Sequence, residues 1–139
     1  MVSFTSITVR YAETDQMGIA HHSNYAVWYE QARTEFIRAL GSSYGQIEKD
    51  GVWLPLLSLH CEFKSPALYE DQLTIKTAIG LLTPSRIQFD YEVKREGVLL
   101  GKGFTAHAFT TPALRPMNLK KHHPALYALL QGAFEEEKP

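Results

Sequence analysis

One stretch of the chain repeats its apolar side chains with the period of a helix, and five others repeat them with the period of a strand. Tyr25, Trp28, Tyr29, Ala32, Phe36 and Leu40 recur at steps of three and four, with Glu30, Gln31, Arg33, Thr34, Glu35 and Arg38 mostly between them. That pattern predicts a helix over about 23–40 with one broad apolar face. Ser23 or Asn24 can accept hydrogen bonds from its first amides, and Gly41 can take the left-handed conformation that ends it. Before it, residues 4–11 alternate, with Ile7, Val9 and Tyr11 expected on the buried side. After a short helical turn in "SYGQIEKDG" come four strand-like runs, at about 52–64, 72–82, 85–95 and 98–110. The connectors "TPS" and "REG" read as hairpin turns. "HHPALYALLQG" then predicts a short helix, with Pro124 in its first turn and Gly132 just beyond its end.

One long helix and five strands make an α+β architecture of two layers, in which the sheet wraps the helix. The 139 residues suit a single domain over 1–139, with 132–139, ending in "EEEKP", expected to fray. Such a sheet leaves its edges unpaired, and pairing them edge to edge in a dimer predicts a homo-oligomer. A formal net charge of -1 offers no field for a polyanion, so nucleic acid is not an expected partner. No apolar run approaches the ~18 residues of a membrane span, and the opening "MVSFTSITVR" lacks the pattern of an export signal. A cytoplasmic location is expected. Cys61, in the alternating run "SLHCEF", reads as a small strand residue rather than a nucleophile.

The polar loop "ETDQMGIAHHSNY", residues 13–25, joins the first strand to the long helix and holds the candidate chemistry. A carboxylate at Asp15 can attack an acyl carbonyl or take a proton from water, although Asp before a helix is also a common turn former. Gly18 permits a sharp turn. Neighbouring side chains in extended backbone point apart, so only one of His21 and His22 is expected to face Asp15. His22 beside a carboxylate could orient water or a carbonyl. Glu13 and His21 are expected to face solvent. Amides of the first helical turn can hold a developing oxyanion, worth about 3 kcal/mol per well-placed donor. The histidines show no zinc-site spacing, and glycine-rich nucleotide fingerprints are missing, so neither a metal nor another cofactor is expected.

The run "VRYAETDQMGIAHHSNYAVWYEQAR", residues 9–33, resembles the signature of hotdog-fold acyl-CoA thioesterases of the 4-hydroxybenzoyl-CoA thioesterase type, in particular the Tol-Pal-associated branch. Asp15, Gly18, His22 and Tyr25 carry the resemblance, followed by Glu30 and Arg33. It implies a hotdog fold, an acyl-CoA substrate, Asp15 as nucleophile or general base, and backbone amides near His22 that polarise the thioester carbonyl. The histidine at 22 turns the expectation towards short or medium aliphatic acyl groups. The resemblance also implies dimers, often paired into tetramers, with active sites at the subunit interface and the nucleotide resting near basic side chains. Among Arg86, Lys94, Arg95, Lys102, Arg115, Lys120 and Lys121, the place to look first is Ser85 and Arg86 in "TPSRIQFDYEV". Tyr25, with Trp28 and Tyr29, could line an acyl pocket. A hotdog hydratase or dehydratase, or an acyl-CoA or acyl-carrier-protein binding module, are the competing readings.

Overall fold

The computed structural model describes residues 1–136. In chain order it has β1 (Val2–Thr8), a 3-10 turn (Tyr11–Glu13), α1 (Ser23–Ala39), α2 (Tyr44–Lys49), β2 (Leu56–Phe63), β3 (Gln72–Leu82), β4 (Arg86–Arg95), β5 (Val98–Ala108), α3 (Leu119–His122) and α4 (Pro124–Glu135). The strands form one sheet in the order β1-β3-β4-β5-β2, every neighbouring pair antiparallel.

Helix α1 packs across one face of this sheet. Its buried face is Tyr25, Trp28, Tyr29, Ala32, Phe36 and Ile37. On the sheet the inward residues follow the period of two, clearest on the central β4, where Ile87, Phe89, Tyr91 and Val93 are buried. Tyr29 stacks on Tyr91 with ring centroids 4.2 Å apart and planes 5° from parallel, and Phe36 meets Phe89 edge to face at 5.7 Å. On β5 the aromatic layer needs glycine. A Cβ on Gly101 would stand 2.8 Å from the Glu62 carbonyl oxygen and 3.3 Å from the Tyr25 ring, and one on Gly103 would collide with the His60 carbonyl oxygen.

Beneath the helix runs a chain of polar groups with a defined direction. Arg33 donates to the hydroxyls of Tyr44 (2.9 Å) and Tyr91 (3.2 Å). The Tyr91 hydroxyl lies 2.6 Å from Thr105 Oγ1, which is 2.9 Å from His107 Nε2, while His107 Nδ1 is 3.1 Å from the Leu54 carbonyl oxygen. A carbonyl only accepts, so Nδ1 carries the proton and Nε2 accepts from Thr105, which in turn accepts from Tyr91. This sequence of donors fits a neutral imidazole. Burial, and secondarily the Arg33 charge, push His107 down to about 4, with only the Leu54 hydrogen bond opposing them.

Several element limits differ from those read in the sequence. The first strand ends at Thr8, and Tyr11 is 75% exposed in the following turn rather than buried beside Ile7 and Val9. The cause is the turn itself: Arg10 N–H donates to the Glu13 carboxylate, and Glu13 N–H to the Arg10 carbonyl. Strand β2 starts at Leu56 instead of 52, because Trp53 makes only an isolated bridge to Thr110 and Pro55 has no amide to donate. Helix α4 continues through Gly132 to Glu135, so residues 132–135 are helical; Ala133 is buried and Phe134 lies against the core. The last part of the expected frayed tail, 137–139, lies outside the described residues.

Strand β2 forms one edge of the sheet. Along it Leu56, Leu57, Leu59 and Phe63 are exposed, a long apolar edge of the kind that usually pairs.

Candidate active site

The loop from Thr14 to Ala20 folds back on itself as a miniature hairpin. Thr14 bridges Ala20, Asp15 N–H donates to the Ile19 carbonyl (2.9 Å), and Gly18 N–H donates to the Asp15 carbonyl (3.0 Å). Gly18 has φ +78, which an L side chain rarely adopts, so the turn depends on this glycine. The returning arm is held against the segment after β2: Ile19 bridges Leu68, and Ala20 N–H donates to the Ala67 carbonyl at 2.8 Å.

Between this loop, the start of α1 and the end of β2 lies an open cleft of about 440 Å³, lined by Asp15, His22, Tyr25, Phe63, Lys64 and Ser65 among others. Asp15 is half-buried, and its Oδ1 accepts the Met17 N–H at 2.8 Å. The other carboxylate oxygen has no hydrogen bond among the described residues. Tyr25 and Phe63 meet edge to face with centroids 4.9 Å apart and form the aromatic wall of the cleft.

The helix entrance is more specific than the sequence suggests. Ser23 and Asn24 do not cap it. The Ser23 amide donates to His21 Nδ1 (3.2 Å), Asn24 N–H to the His21 carbonyl (3.0 Å) and Tyr25 N–H to the His22 carbonyl (3.1 Å). Asn24 uses its side-chain amide to bind the Glu13 and His21 carbonyls, at 2.8 and 3.0 Å. The His22 amide alone among those at this entrance has no acceptor among the described residues. An available amide at one residue of the cleft lining and an anchored carboxylate at another are two groups that carbonyl attack requires.

His22 lines the cleft and His21 does not. Their side chains nevertheless do not point apart: the rings lie 4.0 Å from each other, tilted by 32°. The reason is that His22 already has helical backbone angles, φ -57 and ψ -28, so the alternation of extended chain does not apply.

One expectation about the surroundings changes, that for Glu13, and the residues suggested for the nucleotide lie elsewhere. Ser85 and Arg86 do not line this cleft. They lie at the β3–β4 turn, where Ser85 Oγ is 3.3 Å from Thr83 Oγ1, at the end of β3 away from the Asp15 loop. The 11 residues of β3 span roughly 35 Å, so within one chain the two ends are far apart. Glu13, expected in solvent, is 5% exposed, with its carboxylate bound by Arg10 N–H (2.8 Å) and the Trp28 indole N–H (2.9 Å). Lys64 is not among the basic candidates that the sequence suggests, yet it is the basic side chain in the cleft wall. Its position just past the last residue of β2 is the signal that could have found it.

Comparison with known proteins bears on what this geometry serves. The sequence pattern of the family described as "Thioesterase superfamily" matches residues 17–102, well over half of the chain. The chain belongs to the thioesterase superfamily. It is 35% identical over 134 residues to a putative acyl-CoA thioesterase of Bacillus subtilis, covering 95% of this chain and 97% of that protein. Among solved structures, a hypothetical protein from Thermus thermophilus superposes with a TM-score of 0.88 at 38% identity, covering 96% of this chain and 98% of that one. A DHNA-CoA thioesterase from Staphylococcus aureus superposes with a TM-score of 0.91 at 33% identity, covering 99% of this chain and 96% of that one. The α+β sandwich of one long helix and a five-stranded antiparallel sheet is thus the hotdog fold of this superfamily.

Proposed function

We propose that this thioesterase-superfamily chain hydrolyses acyl-CoA thioesters to a free acid and CoA at the Asp15 cleft. The observation that carries this reading is that a half-free Asp15 carboxylate and a residue with an unpaired amide, His22, line one cleft. The thioester carbonyl oxygen takes the His22 N–H, which stabilises the negative charge that develops as the carbonyl carbon is attacked. The free Asp15 oxygen then acts in one of two ways. As nucleophile it bonds to the carbonyl carbon, the C–S bond breaks to release CoA thiolate, and water cleaves the resulting anhydride. As general base it takes a proton from a water that attacks the same carbon, and the C–S bond breaks to release CoA thiolate and the free acid. Both need the carboxylate and the amide on the same carbonyl. The His22 imidazole, in the cleft wall, assists by orienting water or substrate.

The acyl group on this reading is short to medium in length, or a small aromatic ring. The cleft must hold the acyl group and part of the pantetheine arm, and its aromatic wall of Tyr25 and Phe63 suits a flat or compact group. The names of the relatives point the same way, to CoA thioesters. Placement in the Tol-Pal-associated branch rests on the residue 9–33 signature alone.

The functional unit is a homodimer on this reading. The apolar edge of β2 pairs with its copy, and antiparallel pairing carries the far end of one sheet towards the cleft of the other. That is how Ser85 and Arg86 would come to serve a substrate bound at Asp15.

Thiol release should be followed over CoA esters from acetyl to palmitoyl, aromatic esters included, for the native protein and Asp15→Asn. Turnover on short or aromatic esters and a loss of at least ~100-fold in the variant are expected. A folded Asp15→Asn protein with native turnover would overturn the assignment, and no turnover across the panel would favour a binding module.

A further inference from the structure

Glu13 is a buried carboxylate that the reaction just described does not use. Its two oxygens are both engaged: Oε1 accepts the Arg10 N–H at 2.8 Å, and Oε2 accepts the Trp28 indole N–H at 2.9 Å, with the Arg10 guanidinium 3.6 Å away. Its backbone carbonyl is engaged as well, by His21 N–H and by the Asn24 side chain, each at 2.8 Å. These partners belong to three pieces of chain. Arg10 closes the turn after β1, His21 ends the returning arm of the Asp15 loop, and Asn24 and Trp28 sit on the first two turns of α1.

The attacking carboxylate and the oxyanion donor come from different pieces. Asp15 sits on the outgoing arm of the loop, two residues after Glu13, while the His22 amide belongs to the helix entrance. The Thr14–Ala20 bridge and the Asp15–Ile19 hydrogen bond tie the outgoing arm to the returning one, and Glu13 ties it directly to the helix. From these contacts we infer that Glu13 is a positioning residue, whose side chain and carbonyl together fix the distance between the Asp15 carboxylate and the His22 amide. The inference rests on the hydrolase reading above and deepens it.

Charge and burial are consistent with a clamp. Burial pushes the Glu13 carboxyl up, but the hydrogen bonds from the Arg10 amide, the Trp28 indole and the Arg10 guanidinium outweigh it and hold the group below the usual carboxylate range. The ionised form accepts at both oxygens, which a side-chain amide cannot do. Glu13→Gln therefore keeps the volume but turns an NH2 group towards one of the two donors.

A misplacement of about 1 Å between reacting groups can cost on the order of 100-fold in rate. For Glu13→Gln the expected result is a fall in kcat of roughly 10- to 100-fold with KM within about threefold. Trp28→Phe removes the same bond from the helix side, leaving the carboxylate and its charge in place. It should also lower kcat, and the double variant should be no worse than the poorer single one. Circular dichroism and thermal unfolding establish how much of each protein is folded, so that kcat is compared per folded molecule. A variant with a lowered Tm but native kcat would reduce Glu13 to a structural role and overturn the inference. Independent, additive losses from the two substitutions would overturn it too. If Glu13→Gln does not fold, Trp28→Phe carries the test alone, and native kcat in that variant is the refuting result. Asp15→Asn, assayed alongside, separates the two levels: an active Asp15→Asn refutes the hydrolase site, whereas an inactive one with fully active Glu13 and Trp28 variants refutes only the clamp.

Discussion

Acidification should weaken this fold through one buried imidazole. His107 is 1% exposed and sits between Thr105 and the Leu54 carbonyl, in a chain of hydrogen bonds that runs in one direction from Arg33. Protonation would give Nε2 a hydrogen pointing at Thr105. Thr105 Oγ1 would then face two donors, Nε2 and the Tyr91 hydroxyl, and its own hydrogen would lose the acceptor it had in Nε2, leaving a buried donor unpaired. The imidazole is held down to about 4, against an unfolded value of 6.5. Because the folded value is the lower one, the unfolded chain binds the extra proton first. The contribution is complete above the unfolded value and is lost as pH falls through the interval between the two. Linkage over that interval gives a loss of roughly 2 kcal/mol between pH 7 and 4.5. The measurement is urea unfolding at a series of pH values and fixed protein concentration, for the native protein and His107→Gln, which cannot titrate. The variant has its own offset, so the comparison is of slopes: the native curve should fall about 2 kcal/mol further than the variant's. Parallel curves would show that His107 titrates normally in the fold, and the one-way chain of donors would be wrong.

Three substitutions test other parts of the structure. Gly103→Ala drives a Cβ into the His60 carbonyl oxygen and to within 2.9 Å of the Tyr29 hydroxyl, so denaturant unfolding should show a loss of roughly 1–3 kcal/mol; an unchanged midpoint would contradict the close approach. Lys64→Ala removes the cleft's lysine and should raise KM for acyl-CoA by about three- to fivefold, the worth of one exposed charge contact, with kcat retained. The corresponding N-acetylcysteamine thioester has no phosphate, and an equal rise with that substrate would mean Lys64 does not meet the phosphates. His22→Ala deletes an imidazole but leaves the backbone amide, so its turnover should fall by only about tenfold, well short of Asp15→Asn. A loss as large as that of Asp15→Asn would make the side chain, rather than the amide, the main electrophilic group.

The elements legible in the sequence are those whose periodicity is local. The helix over 23–40 shows its apolar face within its own residues, and the hairpins at "TPS" and "REG" carry their turn chemistry with them, Glu96 and Gly97 both taking positive φ. What was illegible depends on contacts made at a distance. Glu13 is bound in the interior partly by Trp28, 15 residues later, which presents its indole N–H there. Gly132 looked like a helix end because an interior glycine costs about 1 kcal/mol, yet burial of Ala133 and contact of Phe134 with the core carry α4 past it.

Asp15 itself shows why two readings of one residue need not compete. A carboxylate before a helix is usually a turn former, and here Asp15 is one: Oδ1 holds the Met17 N–H, and the backbone on either side of the Gly18 turn is tied to Asp15 N–H and carbonyl. That use consumes one oxygen and fixes the orientation of the other. A catalytic carboxylate needs this kind of fixing, since an unanchored side chain would have to lose rotamer freedom each time the carbonyl arrives. The family pattern begins at residue 17, so it covers the cleft and the helix entrance but not Asp15. The reading of Asp15 therefore stands on its resemblance to the signature and on this anchoring, with Asp15 and His22, whose amide has no acceptor among the described residues, lining one cleft.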